Sequence, residues 1–310
     1  MKSAVCTLFG GQLHYGLGAL ANSLYAHGFR GTIFAGFDEP LPPWAQNVEK
    51  HNGFFQFKAA DGLLIRFIHL EPDVHFSNYK PDFILDVWEK HCPQADALFY
   101  FDPDITIKCR WTFFEEWVGY GIALIQDITN SNMPDNHPIR CAWKHHAETL
   151  GLTVKRPLSQ YFNAGFIGLI RSYASSLELW KQLQHSLKDV GVDTSTMMPA
   201  DGRSNPFGGR DQDMMNIMAM VTEHPLSTIG PEGMDLIHGG FTMSHALGKP
   251  KPWAKNFFKS ALKGSGVSMA DKSFWKHCET PIKLFDRRHI SIRRFELKAA
   301  SAVSRFIRRA

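Results

Sequence analysis

Between Ala97 and Phe101 the chain reads ALFYF, an unbroken apolar run with three aromatics in five residues, and it stops abruptly at Asp102. A strand with no polar residue on either face has no side to show to water, so it belongs in the middle of a sheet covered by helices on both faces. That requirement selects the α/β class. The flanking sequence agrees. Ala4 to Phe9 reads as a strand, a Gly-rich turn leads into the helical GALANSLYAHG, and GTIFAGF reads as a second strand. Such a β-α-β unit predicts parallel strands joined by a crossover helix. LLIRFIHL, GIALIQDI and YFNAGFIGLI are further strands. PDFILDVWEKHC, with Pro81 near its start, and SYASSLELWKQLQHSL are helices, and Asp193 to Gly209 reads as a long loop of the kind that often serves as a lid. With 310 residues, 44% of them hydrophobic, the core is large enough for one large domain or two small ones.

Asp102 and Asp104 follow the central strand at its carboxyl end, the edge of an open α/β sheet where ligands bind. Two carboxylates this close repel unless a cation, a proton or a basic side chain neutralises them. A divalent metal fits, and oxygen ligands favour Mn²⁺ or Mg²⁺ bridging carboxylates to substrate phosphates. Two other readings stay open at this point. Asp-Pro-Asp is ordinary turn chemistry. Asp102, Asp104 and Thr106 also match the D-x-D-x-T signature of haloacid dehalogenase phosphatases, although that signature sits on the first strand of its core and here a β-α-β unit comes earlier.

Three later stretches carry polar residues in unusual settings. In QYFNAGFIGLI, Asn163 precedes Ala164 and Gly165, small residues that let a ligand approach the backbone. In GGRDQDMMNIMAM, Asp211, Gln212 and Asp213 lead into an apolar helix, where either aspartate suits the positive helix end. In HALGKPKPW, His245 is a potential nitrogen ligand, Lys251 with Gly248 suits diphosphate oxygens, and Pro250 and Pro252 are expected to hold the segment extended.

A strand ending in DxD, then F-N-A-G, then D-Q-D before a helix, then H-x-x-G-x-x-K-P-W resembles the retaining GT-A glycosyltransferases of family 8, the galactosyltransferase and glycogenin group. The resemblance runs from the first strand to Trp253. It implies a Rossmann-like, mainly parallel central sheet flanked by helices, and a Mn²⁺ (or Mg²⁺) ion held by Asp102, Asp104 and His245. It further implies donor contacts from Lys80, Asn163, Ala164, Gly165, Gly248 and Lys251, and base contacts from the first strand and turn at Thr7 and Tyr15. Gln212 would face the anomeric carbon, Asp211 is an alternative nucleophile, and Asp127 is a candidate acceptor-side carboxylate. Gln212 is a poor nucleophile, so same-face attack is the expected route. Two departures stand out: Pro103 replaces a small residue inside the DxD, and Gly10 and Gly11 stand where base-contacting acids are common, which weakens the expectation of a UDP-sugar more than that of sugar transfer. A non-catalytic nucleotide-sugar binding or scaffold protein is the alternative.

Cys6, Cys92, Cys109, Cys141 and Cys278 form no CxxC pair, which argues against a zinc site or a disulfide framework. Gly10 to Gly16 interrupts the N-terminal apolar run, against a cleaved leader, and no apolar stretch approaches the roughly 20 residues of a membrane span. The expected location is the cytoplasm. From Lys283 to Ala310 nine Lys or Arg face two acids, a surplus of seven that leaves the rest of the chain near −3. Ile290, Ile292, Phe295, Leu297, Val303, Phe306 and Ile307 are interleaved with these bases. Residues 281–310 thus read as a basic amphipathic tail appended to a transferase domain at 1–280. It would either lie on an anionic membrane at its inner face, near a glycan or glycolipid acceptor, or pack by its apolar stripe. No nucleic acid partner is expected, since no nucleic-acid motif accompanies the basic residues.

Overall fold

The computed structural model describes residues 1–38, 40–130, 132–197 and 205–307. Strands β1 (Ser3–Phe9) and β2 (Gly31–Phe37) flank α1 (His14–Ala26), as the opening β-α-β pattern predicts. A hairpin of β3 (Glu49–His51) and β4 (Phe54–Ala60) follows, then β5 (Leu63–His69). The hairpin is additional to the strands expected from the sequence, and its Asn52-Gly53 turn, with Gly53 at φ 85°, is a strong local signal for one. Helix α2 (Lys80–Asp86) leads to β6 (Ala97–Phe101), and beyond it come the short β7 (Ile105–Ile107), α3 (Trp111–Trp117), β8 (Ile122–Ile125) and α4 (Pro138–Thr149). Next in order are β9 (Phe166–Ile170), α5 (Ser175–Ser186), α6 (Asp211–Val221), β10 (Leu226–Ile229) and β11 (Met243–His245). Helices α7 (Phe257–Leu262), α8 (Met269–Lys276) and α9 (Arg287–Ile307) complete the chain. Part of the loop expected over Asp193 to Gly209, residues 198–204, lies outside the described residues.

Among the described residues, nine strands form one sheet in the order β10-β8-β9-β6-β1-β2-β5-β4-β3. Strand β6 is in its interior, parallel to β1 on one side and antiparallel to β9 on the other, with all five residues buried. One apolar core, including Phe99 and Phe101, covers one face of the sheet, and a second, including Leu98 and Tyr100, covers the other. The two-faced burial inferred from the ALFYF run is therefore met by alternate side chains.

Two departures from a uniform parallel sheet build the site. Strand β9 runs against β6, so its first residue, Phe166, pairs with the last of β6, Phe101. The Asn163-Ala164-Gly165 stretch thereby arrives at the carboxyl end of β6, where Gly165 accepts from the Asp102 amide at 2.7 Å. In addition, β7 and β11 pair as a separate two-stranded sheet with His245 opposite Ile105.

The segment from residue 281 onward packs closely on the body. Asn22 in α1 donates to the carbonyls of His277 and Ile282, both at 2.8 Å, and accepts from the Ile282 amide at 2.7 Å. Along α9, Ile290, Leu297 and Ala300 are buried, while Ile292 and Phe295 are 47% and 68% exposed. The apolar residues of the tail therefore divide between two faces, one packed and one open. The side chains of Phe306 and Ile307 lie outside the described residues.

Candidate active site and metal centre

Asp102 and Asp104 occupy the link between β6 and β7, and the β7–β11 pairing brings His245 to them from far along the chain. His245 Nε2 lies 3.7 Å from Asp102 Oδ2 and 3.3 Å from Asp104 Oδ1. One donor atom from each residue falls within a common 4.8 Å span. Close packing depends on glycine here: a Cβ on Gly165 would sit 2.5 Å from His245 Cε1 and 3.0 Å from Asp102 Oδ2. A Cβ on Gly16 in α1 would likewise meet the Pro103 carbonyl oxygen at 2.6 Å. Two carboxylate oxygens and one imidazole nitrogen, gathered at the carboxyl edge of the sheet, are a donor set that could hold a divalent metal ion. His245 Nδ1 is buried without a partner among the described residues, so the ring is oriented by packing and not by a hydrogen bond behind it.

Each carboxylate also carries a lysine. Lys80, the first residue of α2, reaches Asp102 Oδ1 at 3.1 Å, Asp211 Oδ2 at 2.9 Å and the Ala164 carbonyl at 3.0 Å, which uses all three of its donors. Tyr100 adds a hydrogen bond to Asp102 Oδ1 at 2.9 Å. Burial alone would pull the Lys80 ammonium toward neutrality, but Asp102 and Asp211 outweigh it and raise its pKa above the ordinary lysine value. Lys251 lies 2.5 Å from Asp104 Oδ2 and 2.7 Å from the Ala246 carbonyl. Its segment is not extended as expected from the two prolines: it turns at Gly248, φ 72°, and folds Lys251 back over the metal loop. Burial pushes the Asp104 carboxyl up, whereas His245 and Lys251 together hold it well below the usual carboxylate range.

Beyond Lys80 the site changes from charges to amides. Asp127, buried at the end of β8, accepts from Asn163 Nδ2 at 2.5 Å, from Gln212 Nε2 at 3.2 Å and from the Thr129 amide at 2.6 Å. Burial raises its carboxyl, but these donors more than compensate and lower it. Gln212 Oε1 accepts from the Ala164 amide at 3.1 Å, and Asn163 Oδ1 accepts from Gly165 at 2.9 Å. Both side-chain amides are thus held at both ends. Asp211 and Gln212 open α6, where Asp213 and not Asp211 makes the structural bonds, accepting from Gly209 at 2.6 Å and from Tyr161 at 2.7 Å. Burial raises the Asp211 carboxyl while Lys80 opposes the shift.

The two residues expected at the base edge are placed differently from the rest. Thr7 is fully buried inside β1, and its hydroxyl has no partner among the described residues. Tyr15 stacks on Phe285 with ring centroids 4.8 Å apart. A carboxylate absent from the Gly10-Gly11 stretch arrives from elsewhere: Asp38, after β2, would lie 3.1 Å from a Cβ on Gly10. Tyr100, Gly16 and Asp38 were not singled out from sequence. The first is hidden in an apolar run, and the other two act through contacts between distant segments.

Fold and site define an α/β protein with a two-carboxylate, one-imidazole centre at the carboxyl edge of its sheet. Solved structures with the same fold include the bifunctional glycosyltransferase WbbM in its apo form, at a TM-score of 0.55 and 16% identity, covering 94% of this chain and 51% of that one. The glycosyltransferase GlyE of Streptococcus pneumoniae superposes with a TM-score of 0.52 and 15% identity over 97% of this chain and 64% of its own. The chain thus spans about half the length of the first and under two thirds of the second. No family profile and no curated protein sequence matches.

Proposed function

We propose that this protein is a metal-dependent, retaining glycosyltransferase that moves a sugar from a nucleotide diphosphate sugar, a UDP-sugar by its family-8 resemblance, to a glycan or glycolipid acceptor. The observation that carries this reading is the meeting of Asp102, Asp104 and His245 within 4.8 Å at the sheet's carboxyl edge. A lysine on each side and the amide cluster beyond are the surroundings a diphosphate joined to a sugar needs. The phosphatase reading loses support, since Thr106, the third residue of its signature, is engaged by Ser273 at 2.7 Å.

In this reading Asp102, Asp104 and His245 would hold a divalent ion, which would supply Lewis-acid stabilisation of the departing diphosphate. Lys251 binds the diphosphate oxygens. The anomeric C–O bond breaks with its electron pair passing to the phosphate oxygen, the acceptor oxygen forms the new bond on the same face, and its proton passes to the departing phosphate. Gln212, fixed by Asp127 and Ala164, faces the opposite side of the sugar as a neutral amide. Asp211 is engaged by Lys80 at 2.9 Å, which favours same-face attack over a covalent intermediate on its carboxylate. Asp38 is placed to accept hydrogen bonds from the base or ribose beside Gly10.

The exposed face of α9, with Ile292 and Phe295 among Arg287, Arg288, Lys298 and Arg305, is the surface we assign to an anionic membrane. No helix among the described residues is long and apolar enough to cross one.

The test is a thermal-shift panel of nucleotide sugars with Mn²⁺ on the wild type and on Asp104→Ala, followed by NMR of the product's anomeric configuration. Metal-dependent stabilisation by one donor, lost in the variant, and a retained configuration are expected. Stabilisation without turnover on any acceptor would favour the non-catalytic binding alternative, and no shift with any donor would remove the transferase reading.

A further inference from the structure

The two lysines of the site hold its carboxylates in different ways. Lys80 is locked: it has three protein acceptors, and 6% of its side chain is exposed. Lys251 has two acceptors, its side chain is 22% exposed, and it lies in a segment that turns at Gly248.

Each lysine takes one oxygen of a carboxylate and leaves the other. Lys80 and Tyr100 bind Oδ1 of Asp102, and Lys251 binds Oδ2 of Asp104. The remaining oxygens, Oδ2 of Asp102 and Oδ1 of Asp104, are the ones that face His245. The three donor atoms are therefore presented together while each aspartate already has an ammonium partner, that of Asp102 being shared with Asp211. A divalent cation entering among them meets the Lys251 ammonium across a single carboxylate, in a partly buried setting where like charges repel strongly. A diphosphate removes this conflict. It offers the ammonium new anionic oxygens, and the flexible four-carbon stem lets the ammonium swing to them.

We propose that Lys251 is a displaceable counter-ion, paired with Asp104 here and passing to the donor diphosphate, so that it couples the affinities of metal and donor. Lys80 stays in place and keeps Asp102 aligned. This rests on the transferase reading above and adds to it an interdependence of two ligands, which by linkage must be reciprocal.

The first experiment measures Mn²⁺ alone, following the free ion by electron paramagnetic resonance, in the wild type, Lys251→Met and Lys251→Gln. With Asp104 released from its ammonium, the variants are expected to bind Mn²⁺ about tenfold tighter than the wild type, in the usual range of coupling between sites. The second measures uridine diphosphate by calorimetry with and without saturating Mn²⁺, where the metal-dependent gain seen in the wild type should shrink in the variants to the part that direct metal–diphosphate contact supplies. A folded variant that binds Mn²⁺ no tighter than the wild type, or keeps the full metal-dependent gain, overturns the counter-ion role and leaves the transferase reading standing. A wild type that binds Mn²⁺ neither alone nor with uridine diphosphate overturns both.

Discussion

The metal end and the amide end of the site are neighbours built on opposite principles. At the metal end, Asp102, Asp104, His245, Lys80 and Lys251 hold one another by charge, and three donor atoms face a common point. At the amide end, Asp127, Asn163 and Gln212 hold one another by directed hydrogen bonds, with both amides engaged at both ends. Charges can be exchanged for those of a ligand without reshaping the protein. A closed amide network cannot, because each lost bond leaves a buried group unpaired. In the proposed function the first end would bind a cation and a diphosphate, and the second would present a fixed surface to a sugar.

The comparison is broken most severely by removing a donor from the metal end. Asp104→Ala is expected to lower sugar transfer by about 10³-fold, equivalent to ~4 kcal/mol of barrier, with the fold intact by circular dichroism. Lys80→Met separates charge balance from metal ligation: it leaves Asp102 and Asp211 facing each other without their shared cation and should cost about 3 kcal/mol of stability in denaturant unfolding. A drop under ~1 kcal/mol would mean that water replaces the ammonium and the pair is not locked.

A pH titration needs a group outside both ends as its reference. Burial, helped by Lys276 and His27, lowers His277 from 6.5 to about 4. Because the folded state resists protonation, this histidine's contribution is complete above about pH 6.5 and is lost as pH falls toward 4, a loss of about 3 kcal/mol that His277→Gln should flatten in urea melts. Asp127→Asn tests the amide end, replacing an acceptor of three donors with a group that must itself donate. A loss of about 2 kcal/mol is expected, together with a fall in kcat and little change in Mn²⁺ affinity. If Mn²⁺ affinity fell equally, the two ends would be one unit. The smallest effect belongs to Phe295→Ser on the open face of α9. Stability should move by less than about 0.5 kcal/mol, while flotation with anionic liposomes should weaken; undiminished flotation would remove α9 from the membrane proposal.

Much of the fold was legible because it depends on local pattern. The ALFYF run dictated an interior strand, the opening β-α-β unit dictated parallel neighbours, and the family-8 resemblance singled out Asp102, Asp104 and His245 as a candidate metal set, the three that the structure brings together. The Asn52-Gly53 turn, with Gly53 at φ 85°, is an equally local signal for the β3–β4 hairpin. Less legible was the direction of β9, since a run of apolar residues carries no mark of which way it pairs. Had it run parallel to β6, Asn163 to Gly165 would have come to the opposite edge of the sheet, far from Asp102. The tail shows the same boundary: its sequence gives an amphipathic helix but not which apolar residues face the body, so Ile290 and Leu297 proved buried while Ile292 and Phe295 stayed open.

The sequence by itself determined which chemical groups are present and which local elements carry them, because propensity and periodicity act over a few residues. Only the tertiary structure decided that Lys80 would have three acceptors and Lys251 two with part of its side chain exposed, that Asp38 would stand beside Gly10, and that His245 would meet the two aspartates. Those outcomes depend on strand direction, on register and on glycines that permit contact, and each is fixed by packing between segments far apart in the chain.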